Sequence, residues 1–314
     1  MSRFVLRRLL QSAVVLLGVT LVVFLLLQLV PGDPVRVALG TRFDPQTYEA
    51  LRTRAGLDRP LVAQYFSYVG RAVTGDLGVS FRSGQPVTRI VLERLPATLS
   101  LALTAVLIAV LVAFPLGVLA AVRSGSALDH AARVFSQFGV SVPDFWMGIM
   151  GILLFAGVLG WLPPSGYVPL TEDPAGWLAH VLLPAATVGL VTASILTRFI
   201  RSSVLEVLSA DYVRTAEAKG LRTRVVVLRH VLRNALIPVI TVVAVQLASL
   251  LGGVIVVEVL FAWPGIGRLT YDAVQARDYP VLQGAVLLVA ALFLLMNLLV
   301  DILYARLDPR ITAR

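Results

Sequence analysis

Three histidines are the first residues of this chain that could do chemistry, and His130, His180 and His230 follow one another in steps of fifty residues. No His-Glu-x-x-His run offers a zinc face, and no Gly-x-Ser-x-Gly turn offers a nucleophile. Cysteine is absent, which removes disulfides, a thiolate nucleophile and thiolate-bound metal. The only lysine, Lys219, follows Ala218, so the Gly-x-x-x-x-Gly-Lys-Ser/Thr cradle for nucleotide phosphates cannot form. No catalytic residue and no metal ligand is expected. Three acids remain: Asp144, Glu258 and Asp301 each bound a long uncharged run. A carboxylate in such a place is expensive when its surroundings are apolar, and it is often functional.

The elements that must position these residues are helices in a bilayer. The 314-residue chain is 58% hydrophobic and 14% charged, with mean hydropathy +0.86, which leaves too little polar surface to cover a water-soluble globule. Between charged residues lie six uncharged runs, 9–32, 95–122, 145–171, 174–197, 234–257 and 279–300. Each reaches the roughly 20 residues that a helix needs to cross about 30 Å of hydrocarbon. The expected fold class is therefore all-α and integral to the membrane, with six transmembrane helices. The first run follows Arg3, Arg7 and Arg8 as a signal peptide would. It outruns a signal h-region of about 7–15 residues and shows no small-x-small cleavage pattern, so it reads as a retained helix.

Charge sets the expected orientation. With the N-terminus inside, 16 lysines and arginines fall in the termini and short loops of that side, against 2, Arg268 and Arg277, on the other. Both termini are then cytoplasmic. The remaining nine basic residues lie in 31–94, a segment long enough to be translocated regardless of charge. A net charge of +9 would suggest nucleic acid in a soluble protein, but arginines scattered between apolar runs form no basic stripe, and nucleic acid is not an expected partner. On this topology Asp144 and Asp301 sit near inner ends of spans and Glu258 near an outer end. Structural pairing and a role in a path or gate both fit them.

The outer segment reads as partly helical. Asp44-Pro45 is an N-cap followed by proline at the first helical position, with Tyr48, Leu51 and Ala55 at helical spacing behind it. Leu61, Tyr65, Tyr68 and Val69 mark a second helix over 61–73, ended by Gly75-Asp76-Leu77-Gly78. A small lid on the outer mouth and a contact for a substrate-delivering protein both fit. The inner loop 198–233 is polar enough to leave the bilayer and long enough for two short helices, one closing over 206–209 and another opening at Asp211-Tyr212. Ala216, Ala218 and Gly220 would let a partner surface come close, and Ala216 and Gly220, four apart, are expected on one helical face. Arg222, Arg224, Arg229 and Arg233 are equally what an ordinary positive-inside loop carries.

The run Asp211-Tyr212-Val213-Arg214-Thr215-Ala216-Glu217-Ala218-Lys219-Gly220-Leu221, followed by Arg229-His230-Val231-Leu232-Arg233-Asn234-Ala235-Leu236-Ile237-Pro238, resembles the coupling loop of permease subunits of dipeptide and oligopeptide ABC importers. Against the general pattern of Glu-Ala-Ala, three residues and Gly, this chain has Arg214-Thr215-Ala216 and Gly220. Leu232 meets the Leu of the later Leu-Pro pair, and Arg233 stands where Pro is usual. These departures fit the peptide subgroup better than the sugar subgroup. Further matches run along nearly the whole chain: Pro31-Gly32-Asp33-Pro34, Gly56-Leu57-Asp58-Arg59-Pro60-Leu61 with Gln64-Tyr65, Gly75-Asp76-Leu77-Gly78-Val79-Ser80, Ser141-Val142-Pro143-Asp144-Phe145-Trp146, the run from Glu258 to Gly267, and Leu307-Asp308-Pro309-Arg310. Their order makes the resemblance specific.

The resemblance implies the ABC importer permease fold in a prokaryotic cytoplasmic (inner) membrane, crossed several times. It implies a heterodimer with a second, homologous permease, two ATPase subunits that bind ATP and magnesium, an extracytoplasmic substrate-binding protein and a peptide substrate within membrane lipid. This chain would bind no cofactor and would not be an enzyme. Asp211, Tyr212, Arg214, Thr215, Ala216, Glu217, Lys219, Gly220 and Leu221 would couple it to the ATPases. The chain then divides into 1–30 with the first span, an extracytoplasmic 31–94, and a transmembrane domain 95–314 holding the inner loop 198–233. Dipeptides, longer peptides, glutathione, nickel chelates and haem are all compatible cargoes. A secondary transporter or channel would need a charged relay at mid-membrane depth, and a membrane enzyme would need a catalytic cluster; the residues offer neither.

Overall fold

The computed structural model describes residues 2–39 and 44–307; among them there is no strand, only one antiparallel bridge between Val79 and Pro86. In chain order the helices are α1 (Ser2–Leu29), α2 (Pro34–Leu39), α3 (Pro45–Ala55), α4 (Leu61–Val73), α5 (Val87–Val122), α6 (Ala127–Ser141) and α7 (Asp144–Gly151, continued by π-helical turns over Ile152–Val158). They continue as α8 (Pro174–Leu208), α9 (Asp211–Ala218), α10 (Thr223–Val225, continued by π-helical turns over Val226–Val231), α11 (Leu232–Gly253), α12 (Ile255–Leu260), α13 (Ile266–Gln275) and α14 (Tyr279–Leu307). The motif Leu307-Asp308-Pro309-Arg310 lies largely outside the described residues.

Among the described residues four stretches, Val5–Leu29, Val87–Val122, Pro174–Leu208 and Tyr279–Ile302, are long and apolar enough to cross a membrane, and two bent pairs, each taken as one span, bring the count to six. The bent pairs correct the expected boundaries. Of the uncharged run 145–171, only the part up to Val158 is helical, because Gly160, Pro163, Pro164, Gly166 and Pro169 break the remainder. That helix instead pairs with α6, which precedes it across a bend of 102°. The bend falls at Val142-Pro143, where the residue before proline is pushed out of the α region. The fifth run likewise begins earlier than expected: Thr223–Leu236 joins Pro238–Gly252 with a 49° bend, and Pro238, which cannot donate an N–H to the ladder, accounts for it.

Two helices overrun the bilayer. At 1.5 Å per residue, α5 and α8 are each about 53 Å long, well beyond the hydrocarbon thickness of about 30 Å. The first turns of α5 hold an exposed Arg89–Glu93 pair at 2.7 Å. The last turns of α8 carry Arg198, Arg201 and Glu206, so the loop 198–233 opens as a continuation of this helix.

The chain forms two compact units. The first combines Met1–Leu99 with Leu251–Leu298. Here Asp44 caps α3 by accepting the Thr47 N–H at 2.8 Å, as its Asp-Pro pair suggests. Asp33 caps α2 through the N–H groups of Val35 and Arg36 and also accepts the Tyr48 hydroxyl at 2.6 Å. Burial acts to raise the Asp33 pKa, but these hydrogen bonds outweigh it and hold the carboxyl below its ordinary range. Buried Asp278 accepts both the Ser80 hydroxyl and the Phe81 N–H, and the Arg277 guanidinium donates to the Pro31 carbonyl at 3.1 Å. The segment 31–94 is thereby tied to the residues just before α14.

The second unit, Ser100–Leu250 with Leu299–Arg314, has its core where α5, α8, α9 and α11 meet. Ala109 and Ala113 of α5 face Leu196, Ile200 and Val204 of α8, and Val226, Val227 and Val231 close the cluster from the π-helical turns.

Candidate functional site

The loop 198–233 is built from α9 outward. Asp211 opens the helix with an acid at its positive end, and Thr215 donates back to the Asp211 carbonyl at 2.9 Å. Val213 and Ala216, three apart and so on one face, are buried in the core with Val204, Val226, Val227 and Val231. Fully burying a side chain such as Val213 contributes about 1.5–3 kcal/mol, enough to seat a helix of two turns. Tyr212 accepts a hydrogen bond from the Asn234 side chain at 2.9 Å, and Ser203 donates to the Ala235 carbonyl at 2.9 Å. Together α8, α9 and the start of α11 form one bonded body.

Of the nine residues singled out in the sequence, Asp211, Tyr212, Arg214, Thr215, Glu217, Lys219, Gly220 and Leu221 are exposed and only Ala216 is buried. The exposed residues therefore mix both charge signs with Tyr212 and Leu221, and Val225 and Leu228 are exposed further along the loop. The Arg214–Asp211 pair at 4.0 Å is fully solvated and contributes little.

Ala216 and Gly220 do not form a common docking face. Ala216 turns toward its own core, and α9 ends at Ala218, before Gly220. Gly220 has φ +78°, its N–H bonds the Glu217 carbonyl at 2.9 Å, and a Cβ there would meet no atom within 4 Å. Its requirement is thus conformational. A left-handed backbone costs other residues about 1–2 kcal/mol, so Gly220→Ala and Gly220→Phe are expected to lower the stability of the purified complex about equally. A much larger loss of transport with Phe than with Ala would locate a partner surface over this turn.

The three acids have separate settings. The carboxylate of Asp144 accepts the Phe145 N–H in the first turn of α7, and Asp301 is half-buried in α14. Glu258, on α12, is 1% exposed. Its carboxylate accepts the Thr98 hydroxyl at 2.8 Å and the Arg268 N–H at 2.9 Å, capping α13; the Thr98 oxygen in turn accepts the Ile266 N–H at 2.8 Å. Trp263 donates its indole N–H to the Ala97 carbonyl at 2.8 Å. Each oxygen of the Glu258 carboxylate thus has a hydrogen-bond donor.

Asp129 is a further buried acid, one that its place in the sequence does not single out. This residue is 1% exposed and takes a bidentate bond from Arg201 of α8, with the Gly125 N–H at 2.9 Å as a further donor. Its signal was present as a capping box, Ser126-Ala127-Leu128-Asp129, with Ser126 accepting the Asp129 N–H. His130 and His180 each bond the backbone carbonyl four residues before them, and no cluster of His, Asp or Glu fit for a metal occurs among the described residues.

The loop 198–233 is arginine-rich, continues a long apolar helix and presents an exposed face of mixed charge. A family model for the binding-protein-dependent transport system inner membrane component matches residues 113–313, and one for the N-terminal part of such membrane components matches residues 1–102. The chain belongs to this family. It is accordingly a multi-pass component of the inner membrane in a transport system. It is 43% identical over 335 residues to the dipeptide transport system permease protein DppB of Escherichia coli (strain K12), with 99% of each chain covered. It is 44% identical over 332 residues to the di/tripeptide transport system permease protein DppB of Pseudomonas aeruginosa (strain UCBPP-PA14), again with 99% of each covered. A chain of the inward-facing MetNI methionine ABC transporter aligns with a TM-score of 0.58 at 17% identity, over 70% of this chain and 96% of that one; this likeness concerns the fold.

Proposed function

We propose that the chain is the permease subunit of an ATP-driven importer of di- or oligopeptides. Full-length identity of 43–44% to two peptide-transport permeases is the observation that carries the reading. In this reading a second, homologous permease completes the path, two ATPase subunits bind ATP and magnesium below, and a substrate-binding protein delivers peptide from outside. This subunit holds no cofactor and catalyses no reaction. Both termini face the cytoplasm, as the 16 to 2 distribution of basic residues supports.

The exposed face of α9 is the seat for an ATPase subunit. Because Val213 and Ala216 anchor α9 in the same core as α8 and α11, a displacement of the seat moves both spans together. Closure of the ATPase pair then favours one arrangement of the spans and opening favours the other, a two-state element biased from one side. The charges of Arg214, Glu217 and Lys219 set orientation and association rate more than affinity.

The absence of cysteine gives a clean test. A single Lys219→Cys on the exposed face should react with an impermeant maleimide only in inside-out vesicles, and a photo-crosslinker attached there should capture the ATPase subunit. Labelling from the outside would overturn the orientation, and capture of lipid alone would overturn the seat.

A further inference from the structure

Helix α4 divides its residues between two unlike faces. Gln64, Tyr68 and Arg71 line a cavity of about 300 Å³ that also touches Phe24 and Gln28 of α1. On the other face Val62, Phe66 and Val73, at i, i+4 and i+11, are 68%, 68% and 82% exposed, and Val69 completes the stripe at i+7. A continuous apolar stripe left in water forfeits about 25 cal/mol per Å² and marks a surface that something covers.

The depth of α4 identifies the cover. The Tyr65 hydroxyl lies 3.2 Å from the Leu17 carbonyl and 3.2 Å from the Thr20 hydroxyl, and its ring packs on Phe24 with centroids 5.5 Å apart. One residue earlier, Gln64 meets Gln28 at 3.5 Å. Phe24 lies about 7 Å and Leu17 about 18 Å before the C-terminal end of α1, at 1.5 Å per residue. The axis of α4 thus runs beside the last turns of a membrane span, and its tyrosine reaches toward mid-depth. At the same level Leu21, Val22, Leu25 and Leu26 of α1 point outward from the described chain. The medium that solvates those leucines is at hand for the α4 stripe.

We propose that α4 is an interfacial helix sunk into the leaflet at the C-terminal end of α1, with Val62, Phe66, Val69 and Val73 among lipid acyl chains. It is not a lid standing in water. The pattern is that of helices lying in the membrane plane, apolar on the lipid side and polar on the other. The half-buried Arg71 keeps its stem along the helix and its guanidinium on the cavity side. The proposal rests on α1 being a span; that this is the outer leaflet rests on the orientation proposed above.

The test uses the assembled importer in nanodiscs of phosphatidylethanolamine and phosphatidylglycerol. Nitroxides are placed singly at Val62→Cys, Phe66→Cys and Val73→Cys, with exposed Glu49→Cys as the aqueous reference. Power saturation should show the three stripe labels at least several-fold more accessible to oxygen than to a water-soluble nickel chelate, and Glu49→Cys the reverse. Nickel access at Phe66→Cys equal to that at Glu49→Cys would restore the aqueous lid. Immobilised labels closed to both reagents would put a protein partner on the stripe. Either outcome overturns the proposal. Separately, reaction of Glu49→Cys with an impermeant thiol reagent only from the cytoplasmic side would overturn the orientation while leaving the lipid contact intact.

Discussion

Replacing Gly267 by alanine is expected to remove most of the assembled protein from the membrane, and Glu258→Gln to do nearly as much. A Cβ on Gly267 would stand 2.8 Å from the Ile255 Cα and 3.0 Å from a Glu258 oxygen. The first of these is backbone, so no flexible side chain can give way. Glu258→Gln keeps the shape of the side chain but turns an NH2 toward either the Arg268 N–H or the Thr98 hydroxyl. Orphaning a buried donor costs about 1–3 kcal/mol, and one to two kcal/mol changes a folded-to-unfolded ratio by a factor of about 5–30. Fluorescence-detected size exclusion of the solubilised complex checks both variants. Wild-type yield and thermal stability for Glu258→Gln would show that this carboxylate is not the cap of α13.

The second large effect is expected at Asp129. The Asp129→Asn variant leaves Arg201, whose side chain is 22% exposed, without its bidentate partner between α6 and α8. Breaking a buried pair from one side costs about 3–5 kcal/mol, and the lower end applies because Arg201 keeps some water, although Arg133, 3.7 Å from the same carboxylate, loses its anion as well. Because α8 continues into α9 through Ser209 and Ala210, loosening it should weaken coupling as well as stability. Thermal unfolding of Asp129→Asn, Arg201→Met and the double variant forms the check. A double variant more stable than Asp129→Asn alone would be the signature of a removed charge conflict. Strictly additive losses would show that the two residues act apart.

Much of this architecture was legible because a bilayer imposes length and apolarity that composition reveals directly. Asp44-Pro45 gave the start of α3, and Asp211 the start of α9, since caps and helix dipoles are local effects. The third span was misjudged at its far end because an absence of charge is a weaker demand than helicity: residues 159–171 are uncharged yet rich in glycine and proline. The loop 198–233 hid its own helices: α8 runs on past Arg198 to Leu208, and the segment from Thr223 bends into α11. Ala216 and Gly220 looked like one face by spacing alone, which cannot tell a buried alanine from an exposed one or see that the helix stops at Ala218. Asp129 and Arg201 stand 72 residues apart, and no local pattern joins them. The place proposed for α4 was hidden for a related reason: the spacing of Leu61, Tyr65, Tyr68 and Val69 marked a helix but not its exposed stripe of Val62, Phe66 and Val73, and its depth depends on Tyr65 meeting Leu17.

The most direct measurement is uptake of a labelled dipeptide into proteoliposomes holding this chain with its copurified permease and ATPase partners and the binding protein. The account predicts accumulation that requires ATP, persists when ion gradients are collapsed, and disappears when the ATPase subunits are left out. Uptake by this chain without those subunits, driven by a proton or sodium gradient, would contradict it.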